Sequence, residues 1–509
     1  MKAAAVFSDN MVLQRNRNIR VFGTCSKNEK IINVRIPELE SSARAVVKDG
    51  RWEAVLPPRK EYSSCTLEIS CGAVKKVFHN VAIGEVWLAG GQSNMEFELQ
   101  NERKGAAALA GCYSENVRFY YTPKCSMLGE ELEKSEAESC WCLPSPDRSR
   151  AWSAVGYYFA KELSRRLGVT VGIIGCNWGG TSASAWISRD YLSSDKRLSP
   201  YIDEYEKAVK GKSDEEQIAE YDEYSAYQEG WEKRAAEFYA QNPNAKWHEV
   251  LANCGENRFP GPHSIKNPMR PCGLYETMVR RIAPYTLAGV LWYQGESDEH
   301  RPETYEILLK LLIENWRNLW KDPDMAFMLV QLPMFRYLAD PDTKSWAIIR
   351  EAQENVFRTV RNTGLAVCLD CGELDNIHPT DKSQVAHRLY LQAMSEVYGI
   401  ITRRDSLPPM YDNFEVIGSS MLIHLTNCEM GLGGKDEHCL DGFELAGSDG
   451  VFYPAKAKVR LPYIELSCDK VSLPASARFK WTNYADVGLF GINDLPLPPF
   501  RTDKYTDEK

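Results

Sequence analysis

The stretch VWLAGGQSNMEFEL, from Val86 to Leu99, decides how the rest of the chain is read. A short run of apolar and small residues ends at Gly90-Gly91, and Gln92 and Ser93 then lead into residues that suit a helix. An apolar run of this length, closed by a turn signal, fits a strand buried on both faces. Such strands belong to parallel sheets covered by helices. Further runs of this kind occur at Val169–Gly175, Gly289–Tyr293, Ala326–Leu332 and Gly364–Leu369. Most are followed by a turn and a stretch of helical period, so residues 81–402 are expected to form an α/β domain.

Outward from that core the texture changes. Residues 1–80 carry strand-like segments at Asn18–Gly23, Ile31–Ile36 and Val77–Ile83, broken by Gly, Asn, Asp and Pro. They are expected to form a small β-sandwich-like unit. Residues 403–509 alternate apolar and polar positions between turn signals, and a second β unit is expected there. The segment from about Leu198 to Leu251 is rich in Glu, Lys, Tyr and Ala without a lasting heptad. It predicts a charged helical insertion in the α/β domain, either a solvated helical excursion or a lid or wall of the cleft.

The bulk properties narrow the function. The 509 residues carry a net charge of -9 and no basic run, which argues against a nucleic-acid partner. No apolar run reaches the roughly 18–20 residues that would span a bilayer. The N-terminal MKAAAVFSDN lacks a signal-peptide core, and the 15 cysteines are odd in number and mostly scattered. A reducing cytoplasm is therefore the expected location, or secretion if a leader has been trimmed. The pairs Cys140/Cys142 and Cys368/Cys371 lack a second pair at zinc-site spacing, so no metal is expected. Nothing in the sequence reports oligomeric state.

The chemistry sits at the ends of the buried runs. A serine on a sharp strand-to-helix turn lies at the carboxyl edge of the sheet, where open α/β sheets bind ligands. The helix start behind Ser93 offers N–H groups to a developing oxyanion. The motif is not the G-x-S-x-G elbow, because Met95 stands where the second glycine belongs. A serine nucleophile needs a base, and His378 in CLDCGELDNIHPTDK follows the last buried run. Asp375, three residues earlier, is expected to fold onto it as the orienting acid. His300 is the runner-up base, and His387 reads as structural. GCNWGGTSASAW (Gly175–Trp186) and LWYQGESD (Leu291–Asp298) end two further strands, with paired glycines and with the Gln294 amide as candidate donors.

Taken in order, GQSNM around Ser93, GGTSASAW at Gly179–Trp186, WYQGESD at Trp292–Asp298 and D-x-x-HP at Asp375–Pro379 resemble the SGNH hydrolases. More narrowly they resemble the sialate O-acetylesterase family of carbohydrate esterases. FSDNMVLQR, the segments within Leu329–Gln353, DGFELAGSDGVFYPA and LPPFRTD extend the resemblance over nearly the whole chain. It implies a flavodoxin-like sheet, Ser93 as nucleophile, His378 as base and Asp375 as acid. It also implies an oxyanion hole from the N–H of Ser93, the N–H of Gly179 and the side chain of Gln294. The superfamily's usual asparagine is absent at the third block, and Glu296 is assigned to orient neighbours.

The reaction expected from this set is acyl transfer through Ser93 on an acetylated sugar, with no cofactor. The base should titrate near the ordinary histidine value of about 6.5. O-acetyl sialic acid is the expected substrate; Arg350 is either the partner for its carboxylate or a structural ion-pairing residue. Acetylated xylo- or manno-oligosaccharides are the rival substrates. Two other readings stand beside these: a carbohydrate-binding protein with a decayed site, and a thioesterase or lipase acting on long acyl chains.

Overall fold

The computed structural model describes all residues except 27–29, 115, 243–244, 435–439 and 504–509. Two residues of the expected insertion and parts of both expected β units thus lie outside the described residues.

The centre is a sheet whose parallel part is built from β1 (Val74–Gly91), β2 (Val117–Tyr121), β3 (Val171–Asn177), β4 (Gly289–Tyr293), β5 (Ala326–Gln331) and β6 (Thr363–Val367). They lie in the order β2-β3-β1-β4-β5-β6, and every pairing among them is parallel. Without the edge strand β2 this is the 2-1-3-4-5 order of flavodoxin-like sheets. The strands β3 to β6 are buried along their whole length, as their apolar runs require.

Helices α2 (Ala154–Leu167) and α6 (Ser383–Glu396) pack on each other and on the sheet, while α4 (Tyr305–Trp320) and α5 (Ser345–Thr359) form a second packed pair. Trp316 of α4 meets Trp292 of β4 edge-on at 5.5 Å between centroids. Such an aromatic contact adds to the area buried.

The expected boundary at residue 80 falls inside one strand. β1 is 18 residues long, exposed at its start and continuously buried in its second half. Its first half pairs antiparallel with Tyr62–Cys71, and Val12–Gln14 pairs parallel with Ala82–Gly84. Its second half pairs with β3 and β4. The apolar side chains of the N-terminal strands therefore merge with the core of the α/β sheet.

The C-terminal residues behave differently. Two four-stranded antiparallel sheets enclose a core of their own, with Met421, Ile423, Phe443, Leu445, Ile464 and Phe479 at its centre. The insertion is helical at Ser199–Val209, at α3 (Asp214–Gln241) and at Trp247–Cys254. α3 starts with a capping box between Ser213 and Glu216.

Candidate active site

The Ser93 turn is fixed by close backbone approach. Gly91 has φ +135°, and a Cβ there would come within 2.0 Å of the Tyr293 carbonyl oxygen. Only glycine tolerates both conditions. Gln92 N–H donates to that same carbonyl at 3.1 Å, so pairing with β4 persists past the strand end. The helix α1 (Ser93–Glu96) begins at once, with Met95 N and Glu96 N donating to Gln92 O. Among the described residues the Ser93 N–H has no hydrogen-bond partner.

Beneath this turn the polar side chains are buried and paired. Gln92 Oε1 accepts from Gln294 Nε2 and from Ser297 N, each at 3.2 Å. Asp298 accepts from Gln294 Nε2 at 2.6 Å, Ser182 Oγ at 2.6 Å, Ala183 N at 2.9 Å and Tyr201 Oη at 2.8 Å. One buried carboxylate thus joins the strand ends of β3 and β4 to the insertion.

His378 is delivered by the loop after β6. Its Nε2 lies 2.8 Å from Ser93 Oγ. Asn376 Oδ1 accepts from His378 N at 3.1 Å, which sets the local turn. Asn94, next to the serine, donates through Nδ2 to Ile377 O at 3.0 Å and to Glu296 Oε1 at 2.6 Å, and it accepts from Lys382 Nζ. Burial, with a smaller contribution from the Lys382 charge, pulls the His378 imidazole down to about 4, against the opposing charge of Glu96. The ordinary value near 6.5 expected from the sequence is therefore displaced downward. A neutral imidazole with its proton on Nδ1 can accept a hydrogen bond from the Ser93 hydroxyl at Nε2.

Four expected roles change in the structure. Asp375 takes a left-handed backbone conformation, φ +65°, and its Oδ1 accepts from Leu338 N at 3.1 Å. Among the described residues no hydrogen bond joins it to His378. The D-x-x-H spacing brings the residues close in sequence, but the turn aims the carboxylate at the 336–338 segment. Gln294 donates to Gln92, Asp298 and Thr181 O while its Oε1 accepts from Tyr305 Oη, so its amide is consumed in the floor of the site.

Arg350 is fully buried and donates to the carbonyls of Leu332, Pro333, Thr482 and Asn483 at 2.8–2.9 Å. Desolvation pulls it down to about 9, and no face of it is open to a substrate carboxylate. It ties the loop after β5 to the C-terminal residues. Gly179 does lie against the nucleophile, since a Cβ there would be 3.3 Å from Ser93 Cβ. Its N–H, however, donates to Glu96 Oε2 at 2.7 Å.

Glu296 orients its neighbours through Asn94, and burial raises it above the usual carboxylate range. Lys382, desolvated beside it, is pulled down to about 8. His300 stacks edge-on with Tyr201, and His387 pairs with Glu162, so neither stands as the base.

Sequence reasoning passed over Gln92, Asn94, Glu96, Asp298 and Lys382. Gln92 and Asn94 flank the serine in GQSNM, and Asp298 closes WYQGESD, so their signal was membership of the motifs already singled out. The segment that follows the insertion also reaches the site. Gly180, φ +73°, sits where a Cβ would clash with Met269 Cε and Phe259 Cζ.

Comparison with known proteins places this arrangement. Residues 260–395 match the family model of the carbohydrate esterases described as sialic acid-specific acetylesterases, a span that holds the His378 loop and leaves out Ser93. The chain is similar to the sialate O-acetylesterase of Rattus norvegicus, 25% identical over 97% of this chain and 93% of that one. It is also similar to that of Homo sapiens, 27% identical over 83% of this chain and 75% of the other. The crystal structure of a carbohydrate acetylesterase from Xanthomonas citri superposes with a TM-score of 0.77 at 25% identity, covering 99% of this chain and 100% of that one. The chain is a carboxylic ester hydrolase that resembles the sialate O-acetylesterases over nearly its whole length.

Proposed function

We propose that the protein removes O-acetyl groups from sugars through an acetyl–Ser93 intermediate on an SGNH-type scaffold. The observation that carries this reading is the 2.8 Å contact between Ser93 Oγ and His378 Nε2 at the carboxyl edge of the sheet. The relatives' own activity, sialate O-acetyl ester hydrolysis, supplies the substrate class.

His378 Nε2 takes the hydroxyl proton as Ser93 Oγ attacks the acetyl carbonyl carbon. The carbonyl oxygen becomes an oxyanion facing the Ser93 and Gly179 N–H groups. Collapse breaks the ester C–O bond, and the imidazolium protonates the departing sugar hydroxyl. Water then attacks the acetyl-enzyme with His378 again as base, releasing acetate and restoring Ser93. Asn94 keeps the base in register by holding Ile377 O.

O-acetyl sialic acid is the substrate proposed. A neutral acetylated xylo- or manno-oligosaccharide is the second reading, favoured by the engagement of Arg350 with four backbone carbonyls. Acetate release from O-acetyl sialic acid, both oligosaccharides and a butyryl ester decides among them, with Ser93→Ala as the control. Release from the sialate, lost in Ser93→Ala, is the expected result. Release from the oligosaccharides alone replaces the substrate. Preference for the butyryl ester replaces sugar deacetylation altogether, and no release from folded protein favours a binding role.

A further inference from the structure

The Gly179 N–H is the second donor that an oxyanion on Ser93 would use, and it is already taken. Glu96 Oε2 sits 2.7 Å from it. The other carboxylate oxygen of Glu96 is ion-paired to Lys124 Nζ, which also lies 5.9 Å from the Trp178 ring centroid. Both side chains of this pair are about one-third exposed, so the pair stands at the mouth of the site rather than in its floor. With Gln294 consumed below, no other side-chain amide assigned to the hole is free. A carboxylate oxygen and a developing oxyanion cannot share one N–H, because both are negative and both require the same direction.

We infer that Glu96 is a positioning residue that occupies the oxyanion donor in the resting enzyme and is displaced onto Lys124 when an ester carbonyl enters. The inference rests on the acyl-transfer reading above. Glu96 holds the Gly179 backbone in place while the site is empty and keeps a negative charge near His378. Entry of the carbonyl exchanges a charged acceptor for a neutral one, and Lys124 receives the carboxylate so that it does not oppose the charge growing on the substrate. The last residue of α1 thus links nucleophile and oxyanion donor through three intervening peptide units.

The test is a double-mutant cycle on acetyl-ester hydrolysis, with kcat and KM resolved. Glu96→Gln keeps the shape and removes the charge that competes with the oxyanion, so kcat/KM should rise by about threefold or more. Lys124→Ala leaves the displaced carboxylate without a cation, so kcat/KM should fall by about tenfold. The double variant should return to the level of Glu96→Gln, because without the carboxylate there is nothing for Lys124 to receive. Glu96→Ala serves as a second form of the same removal, and thermal unfolding checks that each variant is folded.

A Glu96→Gln rate equal to or below wild type, or effects of the two substitutions that simply add, overturns the gate. Ser93→Ala runs alongside. If that variant still turns over ester, the acyl-transfer reading fails and the gate falls with it. If it is inactive, the Glu96 and Lys124 variants judge the gate alone.

Discussion

The turn that carries Ser93 and the loop that carries His378 meet at one 2.8 Å contact, yet they are held in different ways. The turn is held from below. Gly91 is pressed onto Tyr293, and Gln92, Gln294 and Asp298 form a buried, mutually satisfied network. The middle of the loop is held from the side, where the part-exposed Glu373 carboxylate accepts from Asn376 Nδ2, Thr380 N and Arg103 Nη2. From the buried side, Asn94 holds Ile377 next to His378, while Glu102 accepts from Lys382 N and Arg388 pairs with Asp370 toward the ends of the loop. A buried network with every partner in place fixes geometry, because any missing partner leaves a polar group without water or protein. Exposed bonds of the other kind contribute little each. Ser93 is thus preset by the fold, and His378 is placed by a few contacts.

This contrast can be broken from the turn side most strongly. Asp298→Ala leaves the buried Ala183 N–H and Tyr201 hydroxyl without their acceptor and takes one acceptor from Ser182 and from Gln294, and should cost about 3 kcal/mol of stability. Chemical denaturation measures it; a loss under about 1 kcal/mol would mean that water or rotation rescues the network. Asn94→Ala removes the buried tether next to His378. It should lower kcat/KM by up to about 100-fold, since small misplacements of a base cost that much, and should also cost some stability because buried Glu296 and Lys382 lose a partner. Equal rates in both proteins would show that the loop holds itself.

The pH profile sharpens the comparison further. The folded-state value of His378 is depressed to about 4 by burial and Lys382, so the imidazole remains an unprotonated base until the pH falls toward 4. The acidic limb of kcat/KM should therefore lie well below the ordinary histidine value of about 6.5. The stability linked to keeping it neutral is present above that value and is lost as the pH falls from there to about 4. An acidic limb at the ordinary value would show that the loop opens in solution. The smallest effect is expected at Asp375. Removing a triad acid costs about 10⁴ in kcat, whereas Asp375→Asn should change it by less than about threefold, because its carboxylate holds Leu338 N. A large loss would mean that the carboxylate swings onto His378 during turnover.

Much of this was legible from residues alone. The buried runs sit within a few residues of β1 and β3 to β6, because a strand covered on both faces must be apolar throughout. Ser93 and His378 stand out because each lies beside a turn at the end of such a run, and the structure brings their side chains to 2.8 Å. Strand β2 was not singled out. Its run VRFYY contains Arg118, whose charge is hidden by donation to the carbonyls of Asn10, Met11 and Asn80. Asp375 was misread for a related reason: spacing along the chain brings residues together but does not aim a carboxylate. Gln294 and Arg350 were misread because residue type tells what a group could donate, and only tertiary packing tells what has already claimed it.

The long strand β1 has one more consequence, for anyone wishing to cut the protein down. The N-terminal residues supply the floor of the hydrolase sheet: Val12 packs beneath Gly172, Tyr285 Oη donates to Val12 O, and Trp141 Nε1 donates to Val6 O. A fragment starting near residue 81 would cut β1 in two, strip Ala82–Gly84 of their partners Val12–Gln14, and uncover those aromatic rings. Bare strand edges and apolar floors recruit other chains. The hydrolase sheet is therefore not an excisable module, and truncation there should yield aggregates rather than a smaller esterase.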